Sequence, residues 1–379
     1  MKNCRQITQI IFLFFLIVAC KKENKKIETP NEPSNTVTPP AAPINTWRAL
    51  SSGNGHSIGI KTDGTLWAWG VNTYGQLGDG TNTNSNRAVQ IGLDTNWKLV
   101  CCGNFFSMAV KSNGTLWAWG FNYYGELGDG TKENKNYPIQ IGTETNWKTL
   151  ACGPFHVLAI KSNGTLWAWG SNIFGAPVKN NPLQIGIGSS WTDVVASNYF
   201  SLAINEDKTL WGIYENSFVS GYLMNKVDSD ATWHKLAAGD KHVLAIKTNG
   251  TLWTWGDNHY GQLGDGTLNS INTRLTQVGF DRNWAMVSGG LRHSLALKTD
   301  GTLWAFGSNY NGQLGDPSLG TMNTPTPIGQ STDWLMIVAA GFNGYGIKKD
   351  GRIWGWGMNS SGELGDSTYI DKAVPTLVH

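Results

Sequence analysis

Short runs in which small and aliphatic residues alternate recur along the chain, and a turn and an aromatic run follow each of them. Residues 57–60 are Ser-Ile-Gly-Ile, and residues 294–297 are Ser-Leu-Ala-Leu. Alternation with a period of two is typical of β-strands that pack closely on at least one side. After the turn comes Leu-Trp-Ala-Trp-Gly or a close variant, as at residues 66–70. The pattern therefore predicts β-hairpins along most of the chain.

The turns inside these hairpins are residue pairs that favour a positive backbone φ. Asn-Gly and Asp-Gly are the strongest short-range hairpin signals, because a type I′ turn needs positive φ at both central residues. Six copies carry such a pair, at Asp63-Gly64, Asn113-Gly114, Asn163-Gly164, Asn249-Gly250, Asp300-Gly301 and Asp350-Gly351. Another copy has Asp207-Lys208 instead. Each pair predicts a hairpin between the second and third strands of its copy.

Tryptophan marks the repeat. The first tryptophan of each copy falls at positions 47, 97, 147, 191, 233, 284 and 334, and a second follows twenty residues later in every copy. A third, two residues further on, is present in five copies, with Ile213 and Phe306 in the other two. These slots account for all 19 tryptophans. Large rings at fixed slots are expected to fill the gaps between tilted sheets.

Seven copies of four strands predict an all-β fold, a seven-bladed β-propeller with four-stranded antiparallel blades. About five residues, as at 92–96, join the fourth strand to the next tryptophan, whereas up to about eighteen separate the third and fourth strands. Because short connections favour hairpins, we predict that a blade combines the fourth strand of one copy with the first three of the next. The last strand, around Val374 to Val378, would then pair with the sheet that begins at Trp47. The ring would be closed by the N- and C-terminal strands.

Over residues 47–379 the sequence resembles a known family. Each copy approximates Trp-(x)5-Gly-x-x-His-Ser, then Asp-Gly-Thr-Leu-Trp-Ala-Trp-Gly-x-Asn-x-x-Gly-Gln-Leu-Gly-Asp-Gly, and five copies keep the Gly-(Gln or Glu)-Leu-Gly-Asp core. This resembles the regulator of chromosome condensation repeat, which implies a seven-bladed β-propeller. The family's eukaryotic namesake is a nuclear exchange factor for a small GTPase, and a secreted bacterial relative inhibits β-lactamase through loop aromatics. The resemblance therefore implies a fold rather than one function.

The N-terminus predicts a lipoprotein signal. Lys2 and Arg5 precede an apolar run from Ile10 to Ala19. A run of about ten residues is too short to span a bilayer, for which about 20 are needed, and it is typical of a signal peptide. The junction Ile-Val-Ala-Cys20 resembles the bacterial lipoprotein box, in which the cysteine carries acyl chains such as palmitate.

These signals divide the chain into three parts. We predict a signal peptide over residues 1–19, a lipidated cysteine and flexible tether over residues 20–46, and the propeller over residues 47–379. The tether is rich in Lys, Pro, Thr and Asn and has little to bury, which favours disorder. We expect the lipid to hold the protein on the outer membrane of a bacterial cell envelope, facing the periplasm or the cell exterior.

Charge and cysteine content narrow the function. Loss of residues 1–19 would leave 27 basic against 27 acidic residues. A neutral chain has no bulk attraction for phosphates, so no nucleic-acid partner is expected. Cys101, Cys102 and Cys152 have neither the number nor the spacing of a disulfide framework or a zinc site. We expect a monomer without metal or cofactor.

Histidine recurs at one repeat position, at His56, His156, His242 and His293. Structural hydrogen bonding is the favoured interpretation, because equivalent positions on different blades are expected to lie too far apart to share a metal at about 2 Å. A metal-binding or proton-linked role is the alternative. The Gly-Gln-Leu-Gly-Asp segments lack the lysine of a P-loop and the alternating acids of a calcium loop, so they predict structural turns.

Because strands alternate direction, the loops after the first and third strands emerge together on one face, which we call the variable face. The opposite face, with the Asp-Gly turns, is the uniform face. Aromatic residues gather on the variable face in copies two to four, and cations in copies five and six. The predicted binding residues are Phe105, Phe106, Tyr123, Tyr124, Phe155, Phe174, Tyr199, Phe200, Tyr214, Lys241, Arg292 and Phe342.

An aromatic patch on a rigid ring is a candidate contact surface for a protein or a glycan. We therefore predict a membrane-tethered binding module with an unknown partner. The alternative for the rings is that they fill gaps between blades. For the protein, the alternatives are a purely structural envelope role, or a hydrolase or lyase with a site on the propeller face. No catalytic residue is predicted, because no Ser-His-Asp, Cys-His or paired-carboxylate arrangement stands out from the repeat.

Overall fold

The computed structural model describes residues 46–171, 179–186, 188, 190–198, 201–216 and 221–378. These ranges hold 28 β-strands in seven groups of four, which confirms the all-β class. No helix within them is long and apolar enough to cross a membrane.

The first strand of each blade begins at the first tryptophan of its repeat, and these strands contact one another around the axis of the ring. They are β1 (Trp47–Ser52), β5 (Trp97–Cys102), β9 (Trp147–Cys152), β13 (Trp191–Ala196), β17 (Trp233–Ala238), β21 (Trp284–Gly289) and β25 (Trp334–Ala340). The second strands are buried along almost their whole length, because sheets of neighbouring blades cover both of their sides. They are β2 (His56–Lys61), β6 (Phe106–Lys111), β10 (His156–Lys161), β14 (Ser201–Asn205), β18 (His242–Lys247), β22 (His293–Lys298) and β26 (Asn343–Lys348).

The third strands carry the Leu-Trp-Ala-Trp-Gly runs, and the fourth strands form the outer edge. The third strands are β3 (Leu66–Gly70), β7 (Leu116–Gly120), β11 (Leu166–Gly170), β15 (Leu210–Asn216), β19 (Leu252–Asp257), β23 (Leu303–Gly307) and β27 (Ile353–Gly357). The fourth strands are β4 (Ser85–Gln90), β8 (Lys135–Ile141), β12 (Lys179–Ile185), β16 (Gly221–Asp228), β20 (Ile271–Val278), β24 (Met322–Pro327) and β28 (Lys372–Leu377).

Each blade is one sequence copy, with its four strands hydrogen-bonded in chain order and antiparallel. The seven-bladed propeller with four-stranded blades is therefore confirmed. The predicted offset between copy and blade is wrong, because β4 pairs with β3 of its own copy, through Trp67 and Gln90. The prediction that the last strand closes the ring by pairing with the sheet that begins at Trp47 is also wrong. Strand β28 pairs with β27 of its own copy, through Trp354 and Leu377.

The length of the connections explains this correction. Four strands about 4.8 Å apart span about 14 Å, and five extended residues reach about 17 Å. Residues 92–96 can therefore carry the chain from the outer edge of one blade to the inner strand of the next. The long segment after β3 reaches over the neighbouring blade. It then returns to its own blade, where it continues as β4.

The ring closes by packing of the first blade against the seventh. The backbone N–H of Trp47 donates to the carbonyl of Gly351 at 2.9 Å, as the N–H of Trp97 does to the carbonyl of Gly64 at 3.2 Å between the first two blades. Strands β1 and β25 contact each other at the axis. Closure therefore repeats the contact that joins successive blades elsewhere.

The tryptophans hold neighbouring blades together, as their fixed slots predicted. The first and second tryptophans of a copy meet edge to face, with Trp97 and Trp117 centroids 5.7 Å apart. The third tryptophan of the second copy, Trp119, is fully buried and donates its indole N–H to the preceding blade, at 2.9 Å from the carbonyl oxygen of Gln76. The same bond joins Trp169 to Glu126.

Lysine takes part in this packing on the uniform face. Lys111 Nζ lies 3.7 Å from the ring centroid of Trp117 and 2.8 Å from Asp94 Oδ2. Lys161 repeats the arrangement with Trp167 at 3.4 Å and Glu144 at 2.6 Å. A desolvated cation over an indole contributes up to about 2 kcal/mol. Six of the seven copies have a lysine fourteen residues after the first tryptophan, with Asn205 in the fourth copy, and this constant spacing was missed in the sequence.

Candidate binding surface on the variable face

Hydrogen bonds between loops confirm that the connections after the first and third strands share one face. The N–H of Phe121, just after β7, donates to the carbonyl of Phe105, in the loop between β5 and β6, at 2.9 Å. The N–H of Asp257 donates to the carbonyl of Lys241 at 2.8 Å in the fifth blade. The same bond recurs in every blade except the fourth, whose loops are only partly described, so these six blades present two loops side by side on the variable face.

The Gly-Gln-Leu-Gly-Asp segment is a clasp between neighbouring blades. Asn72 ties the loop together: its Oδ1 accepts the N–H of Leu77 at 2.9 Å, and its Nδ2 donates to Asp79 at 3.1 Å. The loop then reaches the next blade, where the N–H of Gly80 donates to the carbonyl of Asn136 at 2.8 Å. The segment is thus a structural turn, as predicted, and its contact with the next blade is a feature that was not predicted from the sequence.

Six aromatic side chains form a continuous surface where the loops of the first three blades meet, and we call it the aromatic ridge. Neighbouring ring centroids lie 4.9 to 6.4 Å apart, mostly edge to face. Tyr123 is the most open, 62% exposed, and the other five are half-buried. The members of the ridge are Tyr74, Phe105, Phe121, Tyr123, Tyr124 and Phe155.

The ridge arises because the clasp of one blade lies over the first loop of the next. Tyr74, from the clasp of the first blade, packs on Phe105 of the second at 5.4 Å. Tyr124, at the equivalent position one repeat later, packs on Phe155 of the third blade at 5.6 Å. Phe121 lies between the two pairs, 4.9 Å from Tyr74 and 6.1 Å from Tyr124. The rings therefore bridge blade boundaries and remain partly open to solvent.

The structure unites some of the predicted binding residues and separates others. Phe105, Tyr123, Tyr124 and Phe155 belong to the ridge. Phe342 is half-buried in the seventh blade, outside the ridge. Three of the remaining predicted aromatics lie outside the described residues, namely Phe174, Tyr199 and Phe200. For the fourth, Tyr214, only the backbone is described.

The prediction of Phe106 as a binding residue is wrong, because its side chain is fully buried and cannot contact a partner. It opens β6 in the slot that His56 and His156 fill in other blades, and its ring packs beneath Gly103. Tyr74 and Phe121 were missed in the sequence. Tyr74 could have been found, because it occupies the repeat position of Tyr124.

A buried acid lies at the base of the ridge. Glu126 is fully buried, and its Oε2 accepts the N–H of Tyr124 at 2.9 Å. Its Oε1 has no hydrogen-bond partner among the described residues. Burial raises the pKa of Glu126 to about 7, against the opposing effect of the backbone N–H groups. The ridge therefore rests on a carboxyl that titrates near neutral pH.

The repeated histidines are buried and bonded across blade boundaries, in line with the structural interpretation. His56 Nε2 lies 3.0 Å from Ser107 Oγ of the next blade, and that hydroxyl donates to the carbonyl of Gln76 at 2.8 Å. Burial lowers the pKa of His56 and His293 to about 3, and that of His156 and His242 to about 4. No group of three His, Cys, Asp or Glu side chains in the described part of the chain could hold a metal.

The predicted cations Lys241 and Arg292 line a separate cavity of about 480 Å³, between the loops of the fifth and sixth blades. Two carboxylates, Asp240 and Asp257, share its wall. The guanidinium of Arg292 lies over the ring of Tyr260, 4.7 Å from its centroid. We call this cavity the charged pocket.

A third feature, the axial channel, holds the cysteines. It has a volume of about 510 Å³ and is lined by first-strand residues of all seven blades. Cys101 and Cys152 are half-buried there, and Cys102 is buried, with its N–H donating to Ser51 Oγ at 3.0 Å. Burial raises the pKa of the Cys102 and Cys152 thiols, which makes them poor nucleophiles.

Seven four-stranded blades, joined by clasps and by buried indoles, define a repeat-built β-propeller whose two loop sets form one face. The chain belongs to the RCC1-like domain family, since the model of that domain matches residues 20–379. Among solved structures, Prp20p from Saccharomyces cerevisiae superposes with a TM-score of 0.74 at 18% identity, over 88% of this chain and 87% of that one. Human WBSCR16 gives 0.53 at 18% identity, over 89% and 82%. At this identity the likeness shows the fold alone.

Curated relatives match shorter stretches. Mouse protein RCC2 is 41% identical over 75 residues, which cover 20% of this chain and 14% of the relative. The ultraviolet-B receptor UVR8 of Arabidopsis thaliana is 38% identical over 82 residues, which cover 21% and 18%. The chain thus matches less than a fifth of the length of either relative.

Proposed function

We propose that this protein is a binding module of the bacterial cell envelope that captures a partner protein through the aromatic ridge. The observation that carries the proposal is the unbroken contact of six rings across three blades, all partly open to solvent. Large aromatic side chains dominate the energetics of protein interfaces, because they bury much area at low conformational cost. A rigid ring that presents them needs little reorganisation on binding.

Ring geometry favours a protein over a glycan. Tyr74 and Tyr124 meet their phenylalanine neighbours at interplanar angles of 61° and 71°, so each ring covers part of the face of another. Stacking of a sugar ring needs an open, flat aromatic face, whereas apolar side chains of a protein can fill the grooves between edges. Binding of a glycan through Tyr123 alone would contradict the proposal of a protein partner.

The experiment places a photoreactive phenylalanine analogue at position 123 of the full-length protein in cells. The matched control is position 310: Tyr310 occupies the same repeat position in the sixth blade and is equally open, 67% exposed. We expect one protein adduct from position 123, none from 310, and at least a tenfold loss of the adduct when Phe105 or Phe155 is replaced by alanine. Equal adducts at both positions, or an adduct that survives these replacements in a folded protein, would contradict the proposal.

We further propose that a lipid on Cys20 holds the propeller at the membrane. The composition of residues 21–46 favours a flexible tether, and a flexible chain of that length would have an end-to-end distance of roughly 30 Å. Cys20→Ser should abolish incorporation of labelled palmitate and move the protein from the membrane fraction to the soluble one. Unchanged labelling would place the lipid elsewhere, and proteolysis of intact cells would report which side the propeller faces.

A further inference from the structure

The charged pocket lies outside the ridge, on the variable face at the boundary between the fifth and sixth blades. Asp240 and Lys241 come from the loop between β17 and β18, and Asp257 ends β19. Leu291 and Arg292 come from the loop between β21 and β22 of the next blade. Its volume of about 480 Å³ falls in the range of small-molecule sites, about 300 to 1,000 Å³.

One part of the wall suits an anion. The guanidinium carbon of Arg292 lies over the ring of Tyr260, 4.7 Å from its centroid, and this cation–π contact helps to hold the arginine in the wall of the pocket. A guanidinium in this setting binds a carboxylate through two parallel hydrogen bonds. Lys241 lies in the same wall and adds a second positive charge.

Another part suits a cation. Asp257 is held in place: its Oδ2 accepts Gln262 Nε2 at 2.9 Å, and its Oδ1 contacts the imidazole of His259. Asp240 is half-buried beside it, and burial raises its pKa while Lys241 and Arg292 act in the opposite direction. Two acidic and two basic side chains therefore line one cavity.

The rest of the wall is apolar. Ile271 is 62% exposed, although its side chain belongs to the pocket, and Leu291 lines the pocket from the other blade. An isoleucine left this open at the edge of a charged cavity gives an apolar group of a ligand a place to bind.

We propose that the charged pocket binds a free α-amino acid with an apolar side chain. Its carboxylate would bind Arg292 and Lys241, its ammonium group would bind Asp240 and Asp257, and its side chain would pack on Ile271 and Leu291. The balance of charge carries this assignment. A phosphate ester would face the two carboxylates, and a polyamine would face the two basic side chains, whereas an amino acid presents one group of each charge.

The test is titration calorimetry of the detergent-solubilised full-length protein with leucine and two blocked relatives. N-acetylleucine lacks the ammonium group and imitates a peptide C-terminus, whereas leucinamide lacks the carboxylate and imitates an N-terminus. We expect leucine to bind at least tenfold more tightly than either. Binding of N-acetylleucine or leucinamide as tight as that of leucine would overturn the proposal, as would no heat of leucine binding at roughly millimolar concentrations.

Variants separate the pocket from the rest of the surface. Arg292→Leu and Asp240→Asn should each weaken leucine binding at least tenfold, and Arg292→Lys should weaken it less than Arg292→Leu, because charge remains without the planar fork. Arg282→Leu, an exposed arginine outside the pocket, is the matched control and should bind leucine normally. If Arg292→Leu fails to fold, Arg292→Lys carries the test. Unaltered leucine affinity in a folded Arg292 or Asp240 variant would overturn the proposal. Cross-linking at position 123 does not depend on these pocket residues, so the two proposals can fail separately.

Discussion

Glu126 is an acid in a slot that three other blades fill with an amide, at Gln76, Gln262 and Gln313. Burial raises its pKa to about 7, so the folded state favours the protonated form. The stability from this shift is fully present below the unfolded pKa, about 4.3, and is lost as the pH rises through 7. We expect Glu126→Gln to raise the free energy of unfolding by about 1–3 kcal/mol at pH 8 and to change it little at pH 4.5. Urea unfolding at the two pH values measures this.

The converse variant is the control. Gln76 is fully buried, and its Nε2 has no partner within the described part of the chain, so the slot resembles that of Glu126. Gln76→Glu should therefore introduce a loss of stability as the pH rises from 5 to 8. If the native protein and Glu126→Gln showed the same dependence on pH, Glu126 would have to remain ionised and hydrated in the folded state.

Phe105 and Phe106 show what the sequence could predict at the residue scale. Both were expected on the variable face, yet adjacent residues at the start of a strand point in opposite directions. Phe106 takes the histidine slot, where the neighbouring blade covers it, and Phe105 remains in the loop. Comparison with the histidine of other copies could have separated them. The contacts of Phe105 with Tyr74 could not be predicted, because they depend on the fold of a clasp from another blade.

At the scale of elements, the clasp depends on how closely it approaches the next blade. A Cβ at Gly75 would lie 2.5 Å from the Cα of Asn136, and the φ of Gly75 is 81°. Gly80, in the same loop, has a φ of 85°, but a Cβ there would meet nothing within 4 Å. Gly80→Ala should therefore cost only the left-handed backbone, about 1–2 kcal/mol. Gly75→Ala adds a clash with backbone and should cost more, about 3 kcal/mol or above.

The urea midpoint of the two alanine variants measures the difference. Both substitutions replace a glycine of positive φ with alanine, so the cost of the left-handed backbone largely cancels when the two variants are compared. The remaining difference in stability reports the clash with Asn136. Equal midpoints would mean that the clasp can move away from the next blade without cost. In that case the ridge, which contains Tyr74 of the same loop, would not be held rigidly.

The number and type of elements could be predicted from the sequence, but not their grouping into blades. Strand periodicity, the Asp-Gly turns and the tryptophan slots gave the hairpins correctly, since each is a local property. The offset of the blades was wrong because connection length alone does not tell a hairpin from a crossing. Residues 92–96 cross from the outer strand to the next inner strand, and residues 71–84 return to their own blade. Only the three-dimensional spacing of the strands decides between the two.

At the scale of the whole molecule, stability depends on contacts between neighbouring blades, and buried histidines occupy four of these boundaries. His56 bonds to Ser107, and His293 Nε2 donates to the carbonyl of Asn343 at 3.0 Å. Because burial lowers the pKa of each histidine, folding favours the neutral imidazole. The resulting stability is fully present above the unfolded pKa, about 6.5, and is lost as the pH falls toward the folded values of about 3 to 4.

Acid should therefore open the ring at its blade boundaries. Between pH 6 and 4 each buried histidine lowers the free energy of unfolding by up to about 1.4 kcal/mol per pH unit, and protonation of Glu126 offsets part of this. The second blade already carries Phe106 in the histidine slot, so His56→Phe is a substitution that the architecture accommodates. It should reduce the steepness of acid unfolding by about one proton between pH 6 and 4, which urea titrations over that range would report. A slope identical to that of the native protein would mean that His56 becomes protonated without leaving its place between the blades.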